Sequence, residues 1–313
     1  MNLAIPEVRT LEIHTPNFGY LNASCRRSSS AAGRNELGVP LFLDAIRGAA
    51  SLGYNFLAIA GEQSVLLPGL ATLCREAHRM RMLTTLTTRC GLLTPRRLKA
   101  LVHSVDLLGV RFEKAMGRGL DPVRRSGIPF ALVFHLTPAN MGELEAAASF
   151  ASAQGAALLN VTPAGELSDS EMATAWMMIE CLRDMHRGEL VVQFEAFHKY
   201  RLPVEIGDLD KWRTGLEGKT RFLGELISPL VVEEDGTVVP LRHGLPRTLA
   251  LGNLREGPLP EIAVRWISAG AARFCELYRN VVQDAPLFED LCQLLANGAD
   301  SLPGTRISAA GSR

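Results

Sequence analysis

The 313-residue sequence has few cysteines, and none of them is spaced for a metal site. The six lie at positions 25, 74, 90, 181, 275 and 292. No two of them form a Cys-x-x-Cys pair, so the ligand spacing of a zinc site is missing. Cys74, Cys181, Cys275 and Cys292 fall in apolar helical patterns and are expected to behave as small buried hydrophobic residues.

Long apolar runs and an excess of either charge are also missing. No apolar stretch reaches the ~18 residues of a membrane-spanning helix, and nothing at Met1 resembles a secretion signal. The 33 basic residues equal the 33 acidic ones, which gives no general attraction to nucleic acid or to an anionic membrane. We therefore expect a cytoplasmic protein whose partners are neither nucleic acids nor membranes. A hydrophobic content of 47% predicts one large buried core.

What is present is a regular alternation of β-rich apolar runs and helical patterns. Pro68 and the Thr94-Pro95 pair mark helix starts, and Ser168 with Glu171 forms a capping-box pattern. This alternation predicts right-handed crossovers and a parallel sheet, either an open doubly wound sheet or a full or partial barrel. The predicted strands are Val8 to Thr15, Phe56 to Ala60, Met82 to Thr88, Leu107 to Phe112, Phe130 to Leu136, Leu158 to Thr162 and Leu190 to Phe197.

The alternation stops near residue 200. Asp235-Gly236 then separates two β-rich runs, which predicts a hairpin. The predicted organisation is a β/α domain over residues 1–200, a connector over 201–225, and a hairpin with C-terminal helices over 226–296. The tail over 297–313 is rich in Gly, Ser and Ala and is expected to be disordered.

Three segments together resemble the radical S-adenosylmethionine (SAM) family, in particular members with a C-terminal SPASM-type extension. In the loop after the first strand, Phe18, Asn22 and Cys25 occupy the family's three cysteine positions. Ala60-Gly61-Glu62-Gln63 is similar to the family's Gly-Gly-Glu-Pro motif after the second strand. Val231 to Leu254 resembles the SPASM hairpin and its trailing Leu-Gly-Asn signature.

The resemblance implies both a fold and a cofactor chemistry. The implied fold is a partial (β/α) barrel with a small C-terminal β-hairpin (SPASM-like) subdomain, and the SPASM branch commonly acts on ribosomally made peptides. In the family, three thiolates hold a [4Fe-4S] cluster that cleaves SAM to a radical. Here Phe18 has no donor atom and the Asn22 amide is a poor ligand for iron, so Cys25 is left alone. Leu241 stands where the hairpin would supply a cysteine, so neither cluster is expected.

Polar residues at the carboxyl ends of the predicted strands are the candidates for a site, because a β/α barrel builds its site there. Among them, Glu62, His135 and Glu195 are the candidate catalytic groups. The resemblance implies that Gly61 and Glu62 contact SAM, with the Glu62 carboxylate receiving the methionyl ammonium. The alternative is that Gly61 only turns the chain and Glu62 caps the next segment. The full set of candidates is His14, Glu62, Arg111, Glu113, His135, Asn160, Thr162 and Glu195.

Two further interpretations concern the same residues. His14 and His135, with Glu62 or Glu195, have the composition of a two-His-one-carboxylate metal site, although histidines at strand ends are more often structural. Arg111 and Glu113 are spaced as neighbours on one strand face and are expected to pair with each other or to face solvent.

Three functions remain open at this level. The first is a pseudoenzyme that binds a peptide or a partner modification enzyme as a subunit of a peptide-modification pathway. The second is an enzyme that uses the barrel mouth for non-radical chemistry with SAM or another small molecule, through an ionisable pair such as Glu62 and His135. The third is an active radical SAM enzyme with non-standard ligands, in which Cys74 or Cys90 supplements Cys25.

Overall fold

The computed structural model describes residues 8–15, 37–113, 116–164, 167–195, 223–284, 295 and 298 of the chain. The cluster positions Phe18, Asn22 and Cys25 lie outside the described residues, as do residues 201–222 of the predicted connector and residues 299–313 of the tail. Within the described part, the strands are β1 (Thr10–His14), β2 (Phe56–Ala60), β3 (Leu83–Arg89), β4 (Leu107–Arg111), β5 (Phe130–Leu136), β6 (Leu158–Pro163), β7 (Val191–Phe194), β8 (Leu230–Val232), β9 (Thr237–Pro240) and β10 (Gly252–Asn253).

These strands form one mixed sheet in the order β10-β9-β8-β1-β2-β3-β4-β5-β6-β7. The strands from β1 to β7 are all parallel, and their register places His14 opposite Ala60, Arg89 opposite Arg111, and His135 opposite Thr162. Each predicted strand is therefore present, with bounds that differ from the prediction by a few residues. Because the seven strands run in one direction, their carboxyl ends meet at one edge of the sheet.

Two helices, those over Pro95–Leu101 and Asp169–Met185, begin at the predicted capping residues, whereas the helix predicted to open at Pro68 begins at Leu70. The Thr94 hydroxyl oxygen accepts a hydrogen bond from Arg97 N at 3.4 Å, and Ser168 and Glu171 form the predicted capping box. Within the described ranges, none of the helices is long and apolar enough to cross a membrane. The helices are α1 (Val39–Ser51), α2 (Leu70–Arg79), α3 (Pro95–Leu101), α4 (Asp121–Ser126), α5 (Leu144–Gln154), α6 (Asp169–Met185), α7 (Leu223–Leu226), α8 (Leu259–Ala269) and α9 (Ala271–Asp284).

The sheet has one face packed against the helices and one face that is open at β7. On this strand Val192 and Phe194 are buried, whereas Val191, Gln193 and Glu195 are exposed. Successive side chains of a strand point to opposite faces, so the exposed residues share the inner face of the sheet. Sheets of parallel strands are usually buried on both faces. The exposed inner face therefore indicates an open hollow.

Small side chains line the middle of this hollow. Ala58 lies opposite Thr85, and Thr87 lies opposite Gly109, which in turn lies opposite Ala131. A Cβ atom at Gly109 would approach the Thr87 hydroxyl oxygen to 2.8 Å, so only glycine fits without displacing the threonine. In a closed barrel, large apolar side chains fill the interior. Here the small side chains at the centre of the inner face leave space.

The predicted hairpin is formed by β8 and β9, which pair antiparallel and are joined through Asp235 and Gly236. Gly236 has a φ of 89°, a conformation that favours glycine. β8 also pairs parallel with β1, with Leu230 opposite Leu11. The hairpin consequently extends the barrel sheet instead of forming a sheet of its own. The predicted boundaries of the domains stay a prediction.

Candidate functional site

The carboxyl ends of the parallel strands form a mouth lined by polar side chains. Six of the predicted candidates lie there, and Arg89 joins them although the sequence did not single it out. Glu113 is exposed just beyond β4, and Asn160 lies two residues before Thr162 on β6. In strand order the mouth residues are His14, Glu62, Arg89, Arg111, His135, Thr162 and Glu195.

Glu62 sits in the turn after β2 and is held there by the backbone of the neighbouring strand. Its carbonyl oxygen accepts hydrogen bonds from the Thr88 hydroxyl at 3.0 Å and from Arg89 N at 3.1 Å. Gly61 has a φ of 147°, so the turn before Glu62 requires a residue without a Cβ. The following helical turn, Ser64–Leu66, has Gln63 as its N-cap residue, without a side-chain cap hydrogen bond.

The Glu62 carboxylate forms ion pairs with Arg89 and with Arg111. The side chain of Glu62 is 14% exposed, that of Arg111 is 20% exposed, and that of Arg89 is 47% exposed. Arg111 and Glu113 were expected to pair with each other or to face solvent. Arg111 instead pairs with Glu62, whereas Glu113 is exposed. We call Glu62, Arg89, Arg111 and His135 the arginine side of the mouth.

His135 completes the arginine side. Burial, followed by the nearby Arg111 guanidinium, lowers the pKa of the His135 imidazole from 6.5 to about 4. The ring is therefore neutral at pH 7 and is able to accept a proton only in acid. In the described part of the chain, no hydrogen bond joins His135 to Glu62, so the structure does not bring this predicted pair into direct contact.

A second group of ionisable residues lies where β1 meets the hairpin. His14 Nε2 and Glu12 Oε1 form a short hydrogen bond, and His243 Nε2 lies 3.0 Å from Glu234 Oε2. The two imidazole rings stack with centroids 4.4 Å apart and an interplanar angle of 26°. We call these four residues the histidine stack. Two histidines, each with its own carboxylate, thereby join the first barrel strand to the hairpin and the loop after it.

The two carboxylates of the histidine stack are held ionised. Burial by itself would raise the pKa of Glu12, but His14, His243 and Arg242 lower the pKa below its usual value. Glu234 behaves in the same way: burial raises its pKa, but the hydrogen bond and charge of His243, a backbone hydrogen bond and the charge of His14 together lower it. Sequence reasoning found His14 but missed the other three residues. Only Glu12 left a signal, since it shares the inner strand face with His14.

Glu195 lies on the opposite side of the mouth from Glu62, at the end of β7. Its Oε2 atom accepts a weak hydrogen bond from the Thr162 hydroxyl at 3.3 Å. Although the side chain reaches solvent in the hollow, the surrounding protein raises the pKa of the carboxyl, and the Glu12 carboxylate raises it further. Among the described residues, no cation pairs with Glu195. We call Thr162 and Glu195 the glutamate side of the mouth.

The donor atoms present do not fit an iron-sulfur cluster. The three positions that the resemblance assigns to cluster ligands supply a single thiol, that of Cys25. Leu241, at the position of the hairpin cysteine, is 2% exposed and has a left-handed backbone with φ 65°. An apolar side chain therefore fills that position in the core. A site for a [4Fe-4S] cluster would need thiolates that these residues do not provide.

The two cysteines considered as additional ligands, Cys74 and Cys90, are buried. Burial raises the pKa of Cys74 to about 12, and burial followed by Glu113 raises the pKa of Cys90, which disfavours the thiolate that binds metal. Cys275 is partly buried as expected, whereas Cys181 is exposed, contrary to the expectation. Cys292 lies outside the described residues.

The described residues also contain no group of three or more His, Cys, Asp or Glu side chains placed to hold a metal ion. In particular, the ring that contacts His14 is His243 and not His135. The two-His-one-carboxylate arrangement considered from the sequence is thus not assembled in this part of the chain.

A separate concavity of about 480 Å³ lies between α3 and α4, in the outer helical layer. Pro95, Leu98 and Val102 line one side, and Pro122 and Arg125 line the other. It contains no ion-paired or hydrogen-bonded cluster like those at the strand ends. We therefore place the candidate site at the mouth.

Comparisons with known proteins bear on the fold. No protein-family description and no curated protein matches the chain. Among solved structures, SuiB of Streptococcus suis bound to S-adenosylmethionine superposes with a TM-score of 0.60 at 13% identity, covering 91% of this chain and 77% of that chain. SuiB bound to precursor peptide SuiA gives a TM-score of 0.62 at 12% identity, covering 91% and 76%. For anSMEcpe with bound AdoMet the TM-score is 0.58 at 13% identity, covering 93% and 96%.

At this level of identity the likeness shows the fold. The predicted α/β architecture, a partial barrel of parallel strands followed by a hairpin, is confirmed. The relationship to the radical SAM superfamily that the sequence motifs indicated stays a prediction. What the mouth binds and whether it reacts are separate questions, because one fold hosts many functions.

Proposed function

We propose that this protein is a cluster-free relative of radical SAM proteins that binds a peptide, or the enzyme that modifies it, as a subunit of a peptide-modification pathway. One observation carries the proposal: the chain retains the partial barrel and its polar mouth, whereas the positions that the resemblance assigns to cluster ligands lack thiols, Cys25 excepted. Leu241 fills one such position with a buried apolar side chain, and Phe18 and Asn22 occupy two others. Loss of donors at both cluster positions removes radical chemistry as a whole.

Two features support a peptide as the bound partner. The inner face is open along β7, where Val191, Gln193 and Glu195 are exposed, so an extended chain has access to the hollow. Solved structures with this fold include SuiB bound to precursor peptide SuiA. A peptide lying in the hollow would contact small side chains at its centre and charged groups at the mouth.

SAM is a second candidate ligand, held by Gly61 and Glu62. Gly61 leaves the backbone of the turn accessible, but the Glu62 carboxylate is already paired with Arg89 and Arg111. A methionyl ammonium would have to compete with two guanidinium groups for that carboxylate. In the enzymes of the family SAM supplies a radical when a cluster reduces it; here we expect at most binding.

A specific observation favours one alternative function, non-radical acid-base catalysis in the mouth. His135 lies opposite Thr162 in the sheet, and Thr162 donates to Glu195, so the three residues are neighbours across β5, β6 and β7. Their surroundings raise the pKa of Glu195 and lower that of His135 to about 4. Two groups whose pKa values are moved in opposite directions have the pattern of a catalytic acid and base.

The deciding experiment is anaerobic reconstitution with iron and sulfide, with iron counting, the visible spectrum and an assay for 5'-deoxyadenosine. We expect no bound cluster and no SAM cleavage by the natural sequence. The matched control is the double variant Phe18→Cys/Asn22→Cys, which restores three thiols at positions 18, 22 and 25. A cluster in the variant but not in the natural protein supports the proposal, and a cluster with SAM cleavage in the natural protein overturns it.

The alternative is tested in the same preparation without iron. The protein is incubated with SAM, and the remaining SAM is measured by chromatography. If His135 and Glu195 are an acid and a base, the consumption of SAM has to depend on both. His135→Gln and Glu195→Gln should then abolish turnover, whereas Gln193→Ala, on the same face of β7, should not. Absence of turnover by the natural protein leaves binding as the function.

A further inference from the structure

The arginine side of the mouth carries more positive charge than its own carboxylate neutralises. Arg89 and Arg111 both pair with Glu62, and no second acid forms an ion pair with either of them among the described residues. Glu113, the next carboxylate along the chain, is exposed beyond β4 and pairs with neither. Two cations therefore share one anion.

Hydrogen-bond stoichiometry leads to the same result. Two guanidinium groups present roughly ten N–H donors, whereas one carboxylate offers about four acceptor positions. Within the described part of the chain, neither guanidinium has another hydrogen-bond acceptor beyond Glu62. Arg89 is 47% exposed, so its remaining donors face the open mouth. These donors are ready for an anion that arrives from outside.

The floor beneath the two arginines leaves room for such a group. One step down the sheet from the Arg89 and Arg111 pair, Thr87 lies opposite Gly109. Gly109 has no side chain, and Thr87 is the larger of the two. No bulky residue at this level separates the guanidinium groups from the hollow.

His135, on the same side of the mouth, adds no competing charge at pH 7. Burial, followed by Arg111, lowers the pKa of its imidazole to about 4, so the ring is neutral.

We propose that Arg89 and Arg111 bind the carboxylate of an Asp or Glu side chain of the peptide partner. This inference rests on the proposed peptide-binding function and specifies what the mouth recognises. Arg89 and Arg111 are arranged around Glu62 so that their planar forks remain available for a second carboxylate, which arginine binds with two parallel hydrogen bonds. An acidic residue of the peptide would thereby be placed at the mouth end of the hollow.

The test begins with a selection of random twelve-residue peptides displayed against the full-length protein. One selected peptide with a single acidic residue is then synthesised with Glu and, in a second version, with Gln at that position. Binding of both versions is measured by fluorescence polarisation to the natural protein, to Arg89→Gln and to the control Arg96→Gln. Arg96 is exposed on α3, away from the mouth.

We expect acidic residues to be enriched among the peptides that the natural protein selects. Replacing Glu with Gln should weaken binding about tenfold for the natural protein and for Arg96→Gln, as the loss of a charge-assisted contact does. For Arg89→Gln the same replacement should change affinity less than about twofold, because the partner of the carboxylate is gone. Arg89→Lys retains the positive charge but not the planar guanidinium, so it should recover part of the difference in affinity between the Glu and Gln peptides. Such a recovery would show that the site is folded in the variants.

Two outcomes overturn the inference and differ in what else they overturn. Selected peptides without acidic enrichment, or an equal effect of Glu to Gln in Arg89→Gln, overturn carboxylate recognition and leave peptide binding intact. A selection that enriches no peptide above a protein-free control overturns peptide binding as the proposed function, and with it the inference.

Discussion

The two sides of the mouth hold chemically identical groups in opposite electrostatic situations. On the arginine side, Glu62 is enclosed by two guanidinium groups. On the glutamate side, the neighbours of Glu195 are the neutral side chains of Asn160 and Thr162, and the Glu12 carboxylate raises its pKa. A carboxylate next to two cations stays ionised and paired with them, whereas a carboxylate without a cation is available to a ligand or a proton. The difference teaches that these two glutamates, both candidates from sequence, have different roles.

The histidine stack lies at the β1 side of the same mouth and shows a third arrangement. Glu12 and Glu234 are each paired with a histidine, so their pKa values stay low despite burial. His14 is 2% exposed, which makes the stack a structural joint and not an open reactive group. Each of the following predictions removes one member of this comparison, beginning with the largest expected effect.

Replacing Glu62 with Gln should be the most damaging change. Removing one partner of a buried pair costs roughly 3–5 kcal/mol, and the partial exposure of Arg89 reduces this to about 2–3 kcal/mol here. Urea unfolding of the full chain measures the loss. The matched control is Glu180→Gln, which removes an exposed carboxylate paired with Arg183 and should cost less than about 1 kcal/mol. Equal losses of unfolding free energy in the two variants would show that the ion pairs of Glu62 stabilise the fold no more than an ion pair on the surface does.

The low pKa of His135 predicts a loss of stability in acid. The unfolded chain takes up a proton on this residue near pH 6.5, whereas the folded protein does so only near pH 4. Stability from this residue is thus complete above about pH 6.5 and is lost as the pH falls towards 4, by up to roughly 3 kcal/mol. His135→Gln should make the free energy of unfolding less dependent on pH in that window. A pH dependence in His135→Gln equal to that of the natural protein would contradict this prediction.

Removing one ring of the histidine stack should have an intermediate effect. His243→Ala abolishes the ring contact with His14 and the hydrogen bond to Glu234, which together are worth about 1–2 kcal/mol. Amide hydrogen exchange should increase in β8 and β9 more than in β4 and β5. His243→Phe retains a ring but no hydrogen bond and should recover part of the loss. Uniform exchange across the sheet would contradict the role of the stack as a joint.

Replacing Glu195 with Gln should have the smallest effect on stability, within about 0.5–1 kcal/mol. The sign is informative: because the folded pKa of Glu195 is raised, the natural protein loses stability as the pH rises through that pKa. The Gln variant does not titrate, so it should be slightly more stable than the natural protein at neutral pH and equal to it in acid. Gln193→Ala serves as the control on the same strand face. A clear loss of stability in Glu195→Gln at neutral pH would show that Glu195 has a cationic partner after all.

Local patterns predicted the fold well because they act over short stretches of chain. Apolar runs bounded by Gly, Pro and capping residues placed the parallel strands, and the Ser168 capping box placed α6. The Asp235-Gly236 pair placed the hairpin. The same patterns also predicted six of the mouth residues, because parallel strands bring their carboxyl ends together whatever the details of packing.

Contacts between distant segments were beyond such patterns. Arg111 was expected to find its partner two residues away, yet it pairs with Glu62 from another strand. His243 gave no signal, since it meets His14 only because β8 lies beside β1 in the sheet. Arg89 was overlooked because nothing in its local sequence marks it as the second cation at Glu62.

The sequence by itself determined the alternation of strands and helices, the hairpin turn and the absence of thiols at positions 18 and 22, because each depends on neighbouring residues or on donor chemistry alone. Only the tertiary structure decided which carboxylates are neutralised and which remain available. Electrostatic partners are set by distances of a few ångströms across strands that are far apart in the chain. Glu62 and Glu195 are the same residue type at similar strand ends, and the two arginines beside one of them make the difference.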